Sequence, residues 1–199
     1  MKKLIISLPF LIYYCVMPVN YDKAAIEKGG NFYFGANGYY MKGRYTEGGC
    51  GYTSSKDYKA LGLQLTGGAY YGFTKNIATG VENSFAIYSM QVEGEKSQPG
   101  ILWGYGDLFL KLSMPSDMFI LSLKGGLSFP NMFKVGVLLG IYNPELLTLS
   151  YTYLYPQINT FSINLNLSKN KTISAGYSKY IGGPNNFYDG FYIGIGLKK

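Results

Sequence analysis

The sequence has no histidine, only two cysteines and few charged residues. Without imidazole groups, a Ser-His-Asp triad and most zinc sites are excluded. Two cysteines do not make a disulfide framework, and one of them lies in the apolar N-terminal run. Charged residues make up 15% of the chain, below the roughly 25% of an ordinary soluble domain. This composition is unusual for a soluble enzyme, and we expect no enzymatic activity.

Long hydrophobic runs are also missing beyond the N-terminus. No later stretch reaches the roughly eighteen apolar residues that a membrane-spanning helix needs. The chain is nevertheless rich in aromatic residues and glycine, with 21 Tyr and 27 Gly. Interfacial aromatic girdles and crowded barrel walls use these residue types. A membrane protein without membrane helices has to be a closed barrel, because lipid cannot satisfy open strand edges.

A strict alternation is clearest between Ala60 and Thr74. The odd-numbered residues from Leu61 to Phe73 are apolar or Gly, whereas the even-numbered ones are mostly small or polar. A period of two predicts a strand with one apolar and one polar face. Its roughly fifteen residues would extend about 50 Å, well beyond the strands of ordinary soluble domains. Long two-faced strands are typical of transmembrane barrels.

Similar alternating stretches recur from Asn31 to Leu197. They predict an all-β fold, a transmembrane antiparallel up-and-down β-barrel of about ten strands, with eight as the alternative. The polar faces carry mostly Gly, Ser, Thr, Asn and Tyr, which favours lipid outside over a soluble barrel with a charged exterior. The longest predicted connections are 42–59, 91–100 and 181–186, and the intervening turns are tight. Long outer loops and short periplasmic turns are the expected asymmetry.

The N-terminal residues 1–20 combine a basic start with an apolar run, as a secretory signal peptide does. Residues 21–30 are then a short linker, and residues 31–199 form the barrel. The net charge of +7 has two interpretations. It is either a solubilising surplus of lysine or a means of binding anions or acidic glycolipids.

The polar faces of four consecutive predicted strands carry five charged residues: Glu82, Asp107, Lys111, Lys124 and Lys134. The aromatic residues predicted to share this lumen are Tyr88, Trp103, Tyr105 and Phe109. Buried charges must be paired or hydrated. The cluster is therefore an internal salt-bridge network that closes the barrel, or a charged constriction that selects solutes. A catalytic pair of the two carboxylates is the third reading, and no nucleophile accompanies it.

In its alternation, its loop asymmetry and its leader, the sequence resembles the small outer-membrane β-barrel proteins of diderm bacteria. The resemblance implies a bacterial outer-membrane location, with outer-membrane lipid, including lipopolysaccharide, and the barrel-assembly machinery as partners. An extracellular ligand at the outer loops is a further candidate partner, and neither nucleic acid nor a cofactor or metal is expected. We expect a closed or nearly closed barrel with a structural or surface-interaction role. The alternative is a narrow porin-like pore that favours anions, because three of the five interior charges are Lys.

Overall fold

The computed structural model describes residues 17–49, 52–129, 132–141, 146–155, 157–183 and 186–199. These residues form ten antiparallel strands that close into one barrel, in which each strand pairs with its neighbours in the chain and the first pairs with the last. The strands are β1 (Gly29–Gly49), β2 (Tyr52–Gly72), β3 (Ile77–Val92), β4 (Gln98–Pro115), β5 (Phe119–Phe129), β6 (Phe133–Ile141), β7 (Leu147–Leu154), β8 (Ile158–Asn166), β9 (Lys171–Gly183) and β10 (Asn186–Lys198). The up-and-down barrel of ten strands is confirmed, and the eight-stranded alternative is wrong. In the described part of the chain, no helix is long and apolar enough to cross a membrane.

The outer wall of the barrel is apolar. On β2, Leu61 and Leu63 are 64% and 63% exposed, whereas Gln64 and Thr66 are completely buried. Large apolar side chains are exposed in the same alternating way on all ten strands. So much apolar surface is unfavourable in water and is satisfied by lipid chains. The molecule therefore has the architecture of a transmembrane β-barrel with its apolar face outward, as the sequence predicted.

A row of aromatic side chains crosses the outer wall on five neighbouring strands. Residues that are paired in register lie side by side, and this row consists of Tyr40, Phe191, Tyr177, Phe161 and Tyr151. The ring centroids of Tyr40 and Phe191 are 5.7 Å apart. This row is here called the girdle. Because barrel strands are tilted, it crosses the wall obliquely, and on β1 its member Tyr40 is the last apolar residue of the outer face before Lys42.

The region 42–59, predicted to be a long loop, consists instead of strand. β1 and β2 remain paired up to Gly49 and Tyr52, well past the girdle. Arg44 and Asp57 form a cross-strand ion pair with Nε and Oδ1 2.6 Å apart. The hydrogen bond from this guanidinium also holds the pKa of Asp57 below its ordinary value. The loop prediction failed because a strand beyond the membrane needs no apolar face, so polar and Gly-rich residues can extend it.

The other two predicted loops are shortened for the same reason. β3 continues to Val92 and β4 begins at Gln98, which leaves only residues 93–97 between them. β9 extends to Gly183 and β10 begins at Asn186, with residues 184 and 185 outside the described ranges. The predicted asymmetry therefore takes a different form, because the first, third and ninth connections lie at the ends of longer strands, whereas the fifth and seventh join short ones.

Trp103 was predicted to point into the lumen, and this prediction is wrong. The register between β3 and β4 shifts by one residue, since Ser84 pairs with Tyr105 and Phe85 pairs with Trp103. The extra residue, Gly104, reverses the alternation as a β-bulge does. Trp103 is consequently 44% exposed on the outer wall, whereas its neighbour Leu102 is buried. The ring of Trp103 lies 5.4 Å from that of Phe129 between centroids.

Candidate functional site: the charged lumen

Four of the five predicted interior charges form one buried network. Glu82 on β3 and Asp107 on β4 are directly opposite each other, which places two carboxylates side by side. Lys124 on β5 lies with its Nζ 2.9 Å from Glu82 Oε2, and Lys134 on β6 contacts both carboxylates. From β1, two strands away from β3, the Tyr33 hydroxyl donates to Glu82 across Gly68 of β2. Two acids and two lysines leave this network with no net charge.

Aromatic rings surround the two ammonium groups of the network. Lys124 Nζ is 4.0 Å from the centroid of Phe109, and Lys134 Nζ is 4.2 Å from that of Tyr105. Both rings belong to β4 and are buried in the lumen. Cation-π contacts stabilise lysines that have lost water. Tyr88, the remaining predicted luminal aromatic residue, is half-buried and packs against the same apolar interior.

Lys111, the fifth predicted charge, has a separate partner. Its Nζ lies 2.9 Å from Oδ2 of Asp22, and neither side chain is exposed to solvent. Lys111 also donates to the backbone oxygens of Lys23 and Ala25. These three partners precede β1 in the chain, so they belong to a segment that lies inside the barrel. The charge of Lys111 is thus paired with a residue outside the wall.

Residues 17–26, here called the luminal segment, occupy the interior of the barrel. Nearly all of them are buried, although the segment makes no strand of its own. Its backbone groups are instead bonded by polar side chains of the wall, as buried backbone requires. The donors to its carbonyl oxygens are Gln64 (to Met17), Tyr105 (to Val19), Asn164 (to Asn20), and Ser113 and Ser122 (both to Ala24). The wall holds the segment through four different strands.

The position of this segment differs from the sequence prediction. Residues 21–30 were predicted to be a linker, but residues 21–24 are fully buried in the lumen. Residues 17–20, assigned to the leader, lie there too, and residues 1–16 are outside the described ranges. The signal-peptide prediction for the N-terminus as a whole stays a prediction. This burial could not be predicted, because a segment without alternation has no periodic signal when the wall supplies its hydrogen bonds.

Glycines on the inner face of β1 and β10 make a flat slot for the ring of Tyr21. A Cβ at Gly35 would lie 2.2 Å from this ring, and one at Gly196 would lie 2.6 Å from it. At Gly194 an added Cβ would be 2.4 Å from the Tyr21 hydroxyl. That hydroxyl donates to Asn37 Oδ1 at 3.3 Å. At Gly35 and Gly196 the three atoms nearest to an added Cβ all belong to Tyr21, so the luminal segment explains the absence of side chains at these two positions.

Little space remains between the luminal segment and the charge network. The cavity bounded by Val19, Asn20 and the network has a volume of about 10 Å³. That is close to the minimum for a single water molecule. In the described ranges, no three His, Cys, Asp or Glu side chains are grouped so that they could hold a metal ion.

Comparisons with known proteins give likeness of structure only. No protein-family model matches the sequence, and no curated protein matches it. An outer membrane channel from Pseudomonas putida F1 is 10% identical with a TM-score of 0.49, and the match covers 91% of this chain and 98% of that one. Ail, the attachment invasion locus protein of Yersinia pestis, is 15% identical with a TM-score of 0.38 over 87% and 100%. The outer membrane protein OprG from Pseudomonas aeruginosa is 10% identical with a TM-score of 0.35 over 89% and 99%. Likenesses this distant indicate nothing about what the present chain binds or transports.

Proposed function

We propose that this chain is a bacterial outer-membrane β-barrel that its own luminal segment keeps closed. It serves a structural or surface-interaction role rather than acting as an open channel. The observation that carries this proposal is the filled lumen, in which the backbone carbonyls of residues 17–26 accept hydrogen bonds from side chains of four strands. Lipid of the outer membrane and the barrel-assembly machinery are its partners under this proposal.

The balance of charge inside the barrel supports closure. A charged constriction that selects ions keeps its charged groups hydrated and available to the solute. Here each of the five wall charges lies against an opposite charge, and the Lys111 pair has no exposed side-chain surface. A solute that passed through the filled barrel would have to break these ion pairs, which costs several kcal/mol.

A surface role is supported by the ribbon that β1 and β2 form beyond the girdle. Above the last pair with β10, at Arg44, this ribbon consists of two strands only. Isolated two-stranded ribbons are marginally stable, so cross-strand contacts such as the Arg44–Asp57 pair are needed. In the described residues no third strand lies along this part of the ribbon, and such edges suit contact with an extracellular ligand.

Conductance in planar lipid bilayers tests closure. We expect no resolvable current steps from the full chain and steps from a variant that lacks residues 17–26. In that variant Lys111 loses Asp22, its ion-pair partner, so the current should favour anions. Steps from the full chain that change with Lys124→Glu would contradict closure and establish the alternative, a narrow pore for small anionic solutes.

A further inference from the structure

A groove on the outer wall lies directly beyond the girdle. Its volume is about 550 Å³, which falls within the range of small-ligand sites. The charged residues that line it are Lys42, Arg44, Asp57, Lys59, Glu93 and Asp189. Met41, Tyr58 and Ala60 are buried in the lumen and alternate with the exposed Lys42 and Lys59. These two lysines therefore point away from the lumen.

The two lysines of the groove repel each other. Lys42 and Lys59 are directly opposite each other on β1 and β2, so their side chains leave the wall about 5 Å apart. Like charges in this position destabilise a strand pair. The other cross-strand neighbour of Lys59 is Gln91, which carries no charge. In the described part of the chain, neither lysine forms an ion pair.

Of the remaining charges of the groove, Arg44 and Asp57 are paired with each other, and Glu93 and Asp189 are two further carboxylates. Arg44 donates to both carboxylate oxygens of Asp57, with Nε to Oδ1 at 2.6 Å and Nη2 to Oδ2 at 3.2 Å. Asp189 lies opposite Lys42 on β10 and brings a single carboxylate to the edge of the lysine pair. A bound group with negative charge between Lys42 and Lys59 would relieve their repulsion, while Asp189 could accept from a hydroxyl or ammonium group beside it.

The depth of Lys42 and Lys59 in the membrane indicates which kind of ligand they would meet. Tyr40 lies two residues before Lys42 on the same face of β1, and Leu61 lies two residues after Lys59 on the same face of β2. The lysines are therefore one row beyond the residues that contact hydrocarbon, at the depth of lipid headgroups. We propose that the groove binds the phosphate of a membrane lipid headgroup, held between Lys42 and Lys59, with the acyl chains lying along the girdle.

The test uses the full chain, folded in detergent micelles and titrated with three probes: dihexanoyl phosphatidic acid, an uncharged lipid of the same acyl length, and inorganic phosphate. We expect phosphatidic acid to bind best, because it alone offers both the phosphate and the chains. Lys42→Gln with Lys59→Gln should weaken its binding at least about tenfold, since two charge-assisted contacts are lost. The matched control, Lys75→Gln with Lys96→Gln, removes the same charge from exposed connections and should bind like the parent chain.

Three results would overturn the headgroup site. One is equal binding of phosphatidic acid by the parent chain and both variants. Another is an equal loss in the control pair, which would indicate general attraction to a basic protein. The third is binding of inorganic phosphate as tight as that of the lipid. The inference rests on the membrane location in the proposed function. A chain soluble without detergent would contradict that location, whereas a correctly folded barrel with unchanged lipid binding would contradict only the headgroup site.

Discussion

Lys111 on β4 and Asp22 in the luminal segment form an ion pair, with Nζ and Oδ2 2.9 Å apart and no exposed side-chain surface. The two residues are 89 positions apart in the chain. Their pairing connects the filling of the barrel to its stability, because each residue would otherwise be a buried charge without a partner. Buried ion pairs are not strongly stabilising in themselves, but losing one member is costly.

The first prediction concerns this pair. Asp22→Asn should lower the free energy of unfolding by about 3 kcal/mol, because the Lys111 ammonium stays buried without a counter-charge. Combining it with Lys111→Met should restore part of the loss, as expected for groups in contact. Urea unfolding in lipid vesicles measures both. Asp117→Asn, in an exposed turn, is the control and should change stability by no more than about 0.5 kcal/mol. Equal effects of Asp22→Asn and Asp117→Asn would show that the luminal segment is not held by this pair.

The second prediction concerns the four-charge network. Lys124→Met leaves Glu82 and Asp107 directly opposite each other with only Lys134 between them. Stability should fall by about 3 kcal/mol, and Glu82→Gln added to Lys124→Met should recover much of it. The same unfolding measurement, arranged as a double-mutant cycle, gives the coupling.

The control for this cycle is Lys169→Met, which removes an exposed lysine from a turn. If the lumen were a hydrated pore wall, the single changes in the network would be as small as that control. Their effects would also add without coupling. Such an outcome would remove the physical basis for closure.

The fold could be predicted because lipid imposes a strict rule on the sequence. Wherever a strand such as β2 crosses the hydrocarbon, its outward residues must be apolar, so Leu61, Leu63 and Leu65 alternate visibly with polar neighbours. Beyond the girdle the rule no longer applies. Residues such as Arg44 and Asp57 pair across the strands without any periodic pattern, so the ends of β1 and β2 could not be located.

The sequence could predict the residues of the site that belong to the barrel wall, but not those of the luminal segment. Alternation placed Glu82 and Lys134 inside, because each lies on the polar face of its strand. Asp22 was not found, since the luminal segment has no period and its contacts join residues far apart in the chain. A usable signal was present in β10, where Gly190, Gly194 and Gly196 share the inner face. Three small residues there indicate that something lies against the wall.

The third prediction tests the slot for Tyr21. Gly35→Ala places a methyl group 2.2 Å from the present position of the ring, so the ring must move, and stability should fall by about 2 kcal/mol. Gly38→Ala on the same strand is the matched control, because nothing lies within 4 Å of its Cβ. It should be neutral within about 0.5 kcal/mol. In a Tyr21→Ala background, Gly35→Ala should cost much less. Equal effects of the two glycine changes would mean that the ring does not occupy the slot.

The last prediction uses Trp103, the single tryptophan of the sequence. Because the bulge at Gly104 turns this side chain onto the outer wall, its fluorescence in lipid vesicles should be quenched by brominated acyl chains and protected from aqueous iodide. Deleting Gly104 makes Trp103 and the inward Tyr105 neighbours on opposite faces, so the indole should stay opposite Phe85 on the outer wall and the quenching should be unchanged. In a strand that alternated regularly through Gly104, the same deletion would instead move the indole from the lumen to the lipid. Replacing Gly104 with Ala keeps the residue count and should leave the quenching as in the parent chain. Strong protection of the parent Trp103 from brominated lipid would contradict the bulge and indicate that the indole points into the lumen.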